Sequence, residues 1–194
     1  MKFRAVLFVL VLFMSTMATA QNKLEREHRV KKSQFPENGR LFMESKIGPA
    51  KKLRYYKEVD TRTIHYTSKF KKDRLHYGIH FSEDGQFQMV DITVKEIDIP
   101  QDSWEDITSF LEQHFTKYRI KKILQQYKVT KDQPEAATLK KAFQNLILPD
   151  MTYMVWAKGK TDVKCQEYKI LFDAEGNLVH LKKALPPNYD HVLY

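Results

Sequence analysis

One pattern of residues occurs twice in this chain of 194 residues, and the two copies lie 91 positions apart. It reads Tyr-x-Ile-x-Phe-x-x-x-Gly-x-Phe over residues 77–87 and recurs over residues 168–178, with Leu178 in place of the last Phe. Alternating apolar residues predict a β-strand, and the glycine predicts a turn. The repetition predicts two copies of one small folding unit, each ending in a β-hairpin. Because the repeated residues serve packing and turns, the pattern argues against a single dedicated active site.

The start of the chain has the pattern of a secretory signal peptide. Lys2 and Arg4 precede a short apolar run, and residues 18–20 read Ala-Thr-Ala, which predicts a signal peptide over residues 1–20 with cleavage between Ala20 and Gln21. The apolar run is shorter than the roughly 20 residues that a membrane-spanning helix needs. We therefore expect an exported protein, periplasmic or extracellular, that does not span the membrane.

The chain is moderately basic, with a formal net charge of +9. Its basic runs are short and mixed with acidic residues, so the charge favours contact with anionic polymers, lipid headgroups or acidic partners. The chain lacks a recognisable nucleic-acid-binding module, so nucleic acid is not an expected partner. Cys165 is the only cysteine, which excludes a disulfide bond within the chain.

Apolar periodicity predicts helices that alternate with groups of strands. Phe35-Pro36 and Ile99-Pro100 each introduce a helix, and Asp102 or Ser103 is expected to cap the second one. Residues 24–30 are predicted to form a loose arm or a short helix. The predicted helices span residues 37–47, 104–117 and 135–147. The predicted strands span residues 53–59, 63–70, 75–81, 86–97, 119–129, 151–157, 167–172 and 178–182.

The order of helix and then strands, repeated, predicts an α+β fold. Period-2 alternation in the strands favours an antiparallel sheet with one buried face, and the helices are expected to pack on one face of that sheet. The sequence leaves open whether the two repeats share one continuous sheet.

The helix followed by Tyr-x-Ile-x-Phe-x-x-x-Gly hairpins resembles the PepSY-like domain, also called β-lactamase-inhibitor-like, of exported bacterial proteins. The resemblance runs from about Phe35 to Lys183, and residues 118–127 are similar to such proteins of Bacteroidetes-type bacteria. It implies two repeats in a periplasmic or secreted, non-enzymatic module that binds or inhibits another protein. Fold resemblance alone does not fix function.

These features divide the chain into five predicted segments. A polar N-terminal arm (residues 21–34) follows the signal peptide. Repeat 1 spans residues 35–98, and repeat 2 spans residues 99–183 with a helical insertion near residues 134–148. Residues 184–194 form a C-terminal tail.

The predicted function is binding, with another envelope or secreted protein as the partner. The alternative is a module that binds anionic glycan or lipid through basic patches. We predict no catalytic residue, no cofactor and no metal. The candidate binding residues are Tyr55, Tyr56, Trp156, Lys69, Lys71, Lys72, Arg74, Lys121 and Lys122.

Three histidines leave a metal-binding alternative open. If Lys72-Asp73 form the loop of the hairpin between the second and third predicted strands, His65 lies opposite His80, with His76 close by. Such a group could bind a transition metal. The favoured interpretation is a polar, solvated face.

Overall fold

Nine antiparallel strands of the described residues form one sheet, in the order in which they occur in the chain. The computed structural model describes residues 26–47, 50–59 and 63–184. The predicted signal peptide and most of the predicted tail lie outside these residues. The strands are β1 (Arg26–Val30), β2 (Lys51–Val59), β3 (Ile64–Lys72), β4 (Leu75–Phe81), β5 (Phe87–Val94), β6 (Lys117–Lys128), β7 (Thr152–Lys160), β8 (Cys165–Phe172) and β9 (Leu178–Lys183).

Within the described residues, three α-helices accompany the sheet. They are α1 (Glu37–Phe42), which continues as a π-helical turn over Met43–Ile47, α2 (Gln101–His114) and α3 (Glu135–Phe143). A proline precedes the first residue of each helix, where the missing N–H costs no helical hydrogen bond. The α+β class and the antiparallel sheet are confirmed.

The hydrophobic core is built from alternate residues of the strands. Tyr77, Ile79 and Phe81 of β4 are almost fully buried, and Tyr168, Ile170 and Phe172 of β8 are buried in the same way. Side chains of all three helices belong to this core cluster. Ring contacts join Phe42 of α1 to Phe81, Phe110 of α2 to Phe172 and Phe143 of α3 to Tyr77, with centroids 5.3–5.6 Å apart.

The two glycines of the repeated pattern occupy turns that require glycine. Gly85 has φ +83° and Gly176 has φ +99°, in the left-handed region that L side chains rarely adopt. Each turn also lies against the first residues of a helix. A Cβ at Gly85 would lie 2.8 Å from the Gly39 nitrogen, and one at Gly176 would lie 2.5 Å from the Ser103 carbonyl oxygen.

Three local predictions are wrong. Residues 26–30 form strand β1, paired with β2, where a loose arm or a short helix was expected. Helix α3 ends at Phe143, because Asn145 takes φ +49°, and the predicted apolar residues Leu146 and Ile147 are exposed. Helix α2 has no side-chain cap; the Ser103 hydroxyl donates instead to the carbonyl of Ala174, at 2.9 Å.

The turn between β3 and β4 also differs from the prediction. Asp73 and Arg74 form a two-residue loop, with φ values of +46° and +70°. Two consecutive positive φ values are typical of the type I′ hairpin turn, whose twist matches the strands. The register therefore pairs Lys72 with Leu75, so the predicted Lys72-Asp73 loop is wrong.

No helix among the residues described here combines the length and the apolar character that crossing a membrane demands.

Candidate functional site

The strand residues that alternate with the core line a groove on the sheet, which we call the open-face groove. Its volume is about 630 Å³. An apolar floor lies between polar and charged side chains. The floor consists of Met89, Leu124, Met154 and Trp156, and the surrounding side chains include Glu27, Glu58, His65, Lys69, Lys128 and Lys169.

Aromatic rings in and beside the groove form cation–π contacts with lysine ammonium groups. The ammonium group of Lys169 lies 4.6 Å from the ring centroid of Trp156, and that of Lys69 lies 4.4 Å from the ring of Tyr56. Lys69 also forms an ion pair with Glu27 of β1. Cation–π contacts of this kind restrict the rotamers of both partners. The aromatic surface is therefore partly preorganised.

A hydroxyl, an imidazole and a carboxylate form a chain on neighbouring strands in the groove. Thr67 Oγ1 lies 3.2 Å from His80 Nδ1, and His80 Nε2 lies 2.6 Å from Asp91 Oδ2. Gly78 makes room for this arrangement, because a Cβ there would lie 2.6 Å from Asp91 Oδ1. Thr67 is only 3% exposed, so its hydroxyl is not presented to a substrate as a nucleophile would be. The chain of contacts fixes the orientation of His80 in the groove.

Lys122 of β6 is half-buried at the centre of the same face. Burial lowers the pKa of its ammonium group, and the nearby Asp91 carboxylate partly opposes this shift. Asp91 lies in contact with His80 instead. Among the described residues, Lys122 forms no ion pair of its own. A half-buried cation without a paired anion is a favourable place for a negatively charged ligand group.

The predicted site residues separate into several environments. Lys69, Lys122 and Trp156 line the open-face groove, and Tyr56 and Lys71 lie in an adjoining basic depression. The ammonium group of Lys72 lies 4.1 Å from the ring centroid of Phe143 in α3. Lys121 pairs with Glu167, and Arg74 lies in the β3–β4 turn.

Tyr55 is a correction to the predicted binding surface. It is buried, and its ring centroid lies 4.7 Å from that of Phe35 in the core. Burial also raises the pKa of its hydroxyl. The sequence Tyr55-Tyr56 left the orientation of the strand ambiguous, because adjacent tyrosines fit either phase of a two-residue period.

The histidine group of the metal-binding alternative is not formed. The observed register pairs His80 with Thr67, and it pairs His76 with Lys71, so the proposed pairing of His65 with His80 is wrong. Within residues 26–47, 50–59 and 63–184, no group of three or more His, Cys, Asp or Glu side chains has an arrangement that could hold a metal ion.

Sequence reasoning missed the apolar floor and the contact between His80 and Asp91. Met89, Leu124 and Met154 each lie one position from a core residue, so a two-residue period was the signal that could place them on the opposite face. The contact of His80 with Asp91 depends on the register between β4 and β5. It could not be found without that register.

Solved structures from Bacteroides species share this fold. A candidate periplasmic protein of Bacteroides eggerthii has a TM-score of 0.53 at 12% identity, covering 80% of this chain and 93% of that chain. A DUF2874 family protein of Bacteroides ovatus has a TM-score of 0.53 at 12% identity, with 81% and 93% covered. Another, from Bacteroides uniformis, has a TM-score of 0.51 at 12% identity, with 76% and 88% covered. Identity this low shows the fold alone.

No protein-family model matches the chain, and no curated protein matches it.

Proposed function

We propose that this protein is an exported, non-enzymatic binding module that holds a protein partner on its open-face groove. The observation that carries the proposal is the apolar floor that contains Trp156, surrounded by charged side chains. Protein interfaces are built in the same way, with an aromatic and apolar centre inside a polar rim. Met and Trp side chains are enriched at such centres, and Trp commonly contributes most of the binding energy.

The rigidity of the groove supports this proposal. Its floor residues belong to central strands, each of which is hydrogen-bonded to a neighbour on both sides. The contact of Lys169 with Trp156 and the contact of His80 with Asp91 fix side chains before a partner arrives. Binding to a preorganised surface costs less free energy, because fewer side chains have to be ordered.

We also infer that the chain consists of two PepSY-like repeats, over residues 35–98 and 99–183. The matching environments of Gly85 and Gly176 support this division, because each glycine has positive φ and lies against the first turns of a helix. The insertion near residues 134–148 contains α3, which gives the second repeat its extra helix.

Export is supported by two independent observations. The first 20 residues have the composition of a signal peptide, and one solved structure with the same fold is described as a candidate periplasmic protein. Cleavage between Ala20 and Gln21 would release the described part of the chain into the periplasm or the medium. Mass spectrometry of the exported protein tests this cleavage position directly.

A second candidate function is the binding of an anionic glycan or lipid. It is favoured by a concentration of basic side chains next to the groove, where Lys69, Lys71 and Lys122 line one depression with few acidic residues. Contacts between exposed charges are screened at high ionic strength, whereas an apolar interface is not. Salt dependence therefore separates the two candidate functions.

The test is affinity capture from an envelope extract at low and high salt, with the wild type and two variants. Trp156→Ala removes the aromatic side chain of the groove floor, and Leu41→Ala removes an exposed apolar side chain from α1 as the control. We expect one protein to be retained at both salt concentrations by the wild type and Leu41→Ala, and to be lost with Trp156→Ala. Equal retention by all three proteins would refute the groove as the binding site.

A further inference from the structure

One corner of the sheet, where the start of β2 meets the β3–β4 turn, collects basic side chains, and we call it the basic corner. It contains two depressions of about 380 and 750 Å³. Among the residues that the structure describes, only two carboxylates line them, those of Asp73 and Asp91. The basic side chains that line them are Lys51, Lys52, Arg54, Lys69, Lys71, Lys72, Arg74 and Lys122.

The strand register places like charges opposite each other in this corner. Lys51 is the direct cross-strand partner of Lys71, and Arg54 is that of Lys69. Like charges at directly opposed positions destabilise a sheet. Glu27 compensates Lys69, whereas within the described part of the chain neither Lys51 nor Lys71 forms an ion pair. A bound anion would remove this repulsion.

Lys52 takes a strained conformation at the same place. Its φ is +58°, in the left-handed region, and it lies in a β-bulge between Lys51 and Arg54. Glycine or asparagine would adopt this conformation at lower cost. The bulge lets both Lys52 and Arg54 line one depression. Strained residues other than glycine are concentrated at functional sites.

Lys122 contributes a half-buried cation to the same depression. Burial lowers the pKa of its ammonium group, which means that the surroundings provide less than full compensation for its charge. The carboxylate that most favours its charged form, that of Asp91, is engaged by His80 at 2.6 Å. An anionic ligand would supply the compensation that Lys122 lacks.

We propose that the basic corner binds a phosphate monoester, with Lys52, Arg54, Lys71 and Lys122 as its ligands. A tetrahedral dianion can accept hydrogen bonds from several of these cations at once, and the Arg54 guanidinium can bind two of its oxygens. A single carboxylate would neutralise only one charge and leave the opposed lysines uncompensated. This site rests on the second candidate function, whose ligand class it names, and it is independent of the protein-binding proposal because it needs no part of the apolar floor.

The experiment is a titration of the purified protein with inorganic pyrophosphate and glucose 6-phosphate, followed by amide chemical shifts. It uses low salt, about 0.01 M, where charges act over about 30 Å, and is repeated at about 1 M, where they act over about 3 Å. We expect shifts concentrated in residues 51–54, 69–78 and 122. A parallel sedimentation with vesicles that contain phosphatidic acid tests a lipid phosphate as the source of the ester.

Variants separate a built site from general charge attraction. Lys122→Gln should weaken binding by about tenfold or more, because it removes one charge-assisted contact. Lys52→Gly should also weaken binding while it raises Tm, because glycine relieves the positive φ. Lys131→Gln removes the same charge from an exposed turn outside the corner and should leave affinity unchanged, as should Trp156→Ala, which tests only the protein-binding proposal.

Each result has a defined meaning. Binding of glucose 6-phosphate that Lys122→Gln weakens supports a soluble ester as the ligand, and vesicle binding with the same sensitivity supports a lipid headgroup. Absence of binding to every probe at low salt overturns the proposal. Equal weakening by Lys131→Gln and Lys122→Gln overturns it too, because the effect would then follow net charge alone.

Discussion

Replacement of Gly176 by alanine tests how the second hairpin is joined to helix α2. The glycine has φ +99°, and a side chain in a left-handed conformation costs about 1–2 kcal/mol. The new Cβ would also lie 2.5 Å from the Ser103 carbonyl oxygen and 2.9 Å from Asp106 Cβ. Overpacking of this kind lowers the free energy of unfolding by about 1–3 kcal/mol. Together, Gly176→Ala should lower the free energy of unfolding by about 2–5 kcal/mol.

Urea denaturation, followed by circular dichroism and tryptophan fluorescence, measures this loss. The chain has two tryptophans, and Trp104 lies in α2 close to the turn, so its emission reports local displacement as well as global unfolding. For a chain of this size, the loss corresponds to a decrease in Tm of roughly 4–20 °C. Glu175→Ala, at an exposed position of the same turn, is the control and should change stability by no more than about 0.5 kcal/mol.

Gly176→Asn separates the two causes of the lost stability, which are the left-handed backbone conformation and the steric overlap with α2. Asparagine tolerates a left-handed conformation better than alanine does, but its Cβ meets the same Ser103 oxygen. If steric overlap with α2 dominates, the two variants should be equally destabilised. A loss below about 1 kcal/mol for Gly176→Ala would refute both the turn geometry and its contact with the helix.

Further predictions concern buried hydroxyl groups. Ser103→Ala should cost about 1 kcal/mol in urea denaturation, because it removes the 2.9 Å hydrogen bond to Ala174; an unchanged midpoint would contradict it. Tyr127→Phe should destabilise by about 1–2 kcal/mol, since the Tyr127 hydroxyl donates to the Leu146 carbonyl at 2.7 Å. Tyr153→Phe should be neutral or stabilising, because among the described residues the buried Tyr153 hydroxyl has no hydrogen-bond partner; a clear loss of stability would indicate an unrecognised partner. Burial raises the pKa of Tyr153 to about 12, above its unfolded value of about 10. The contribution of this group to the free energy of unfolding is therefore complete below pH 10, and it is lost as the pH rises through 12. Denaturation at pH 8 and 11 should show a smaller alkaline loss for Tyr153→Phe than for the wild type, and equal losses would contradict this assignment.

Local patterns in the sequence were enough to predict most of the elements. The two-residue period of Tyr77, Ile79 and Phe81 defines the buried side of β4, because alternate side chains of a strand point to opposite faces. Prolines before the helices predicted where they begin, and the helices end where Asn145 and Phe115 leave helical geometry. These rules act over a few residues, so no distant contact is needed to apply them.

The candidate sites depend on contacts between residues that are far apart in the sequence, and such local rules do not cover these contacts. Thr67, His80 and Asp91 are brought into contact by the registers of two hairpins, and the loop at Asp73-Arg74 sets one of those registers. Moving that loop by one residue shifts the cross-strand register by two, which preserves the faces of the strands and changes every cross-strand partner. The predicted histidine pairing failed for this reason, although the predicted faces were right.

The sequence by itself determined the period of each strand, the glycine turns and the starts of the helices, because steric and hydrogen-bonding preferences of neighbouring residues fix them. Only the tertiary structure decided that all nine strands form one sheet, that residues 26–30 add an edge strand, and that Lys52, Arg54, Lys71 and Lys122 meet in one basic corner. Those outcomes follow from hydrogen-bond pairing between segments far apart in the chain. Many pairings share the same local pattern, and only packing of the whole core selects one of them.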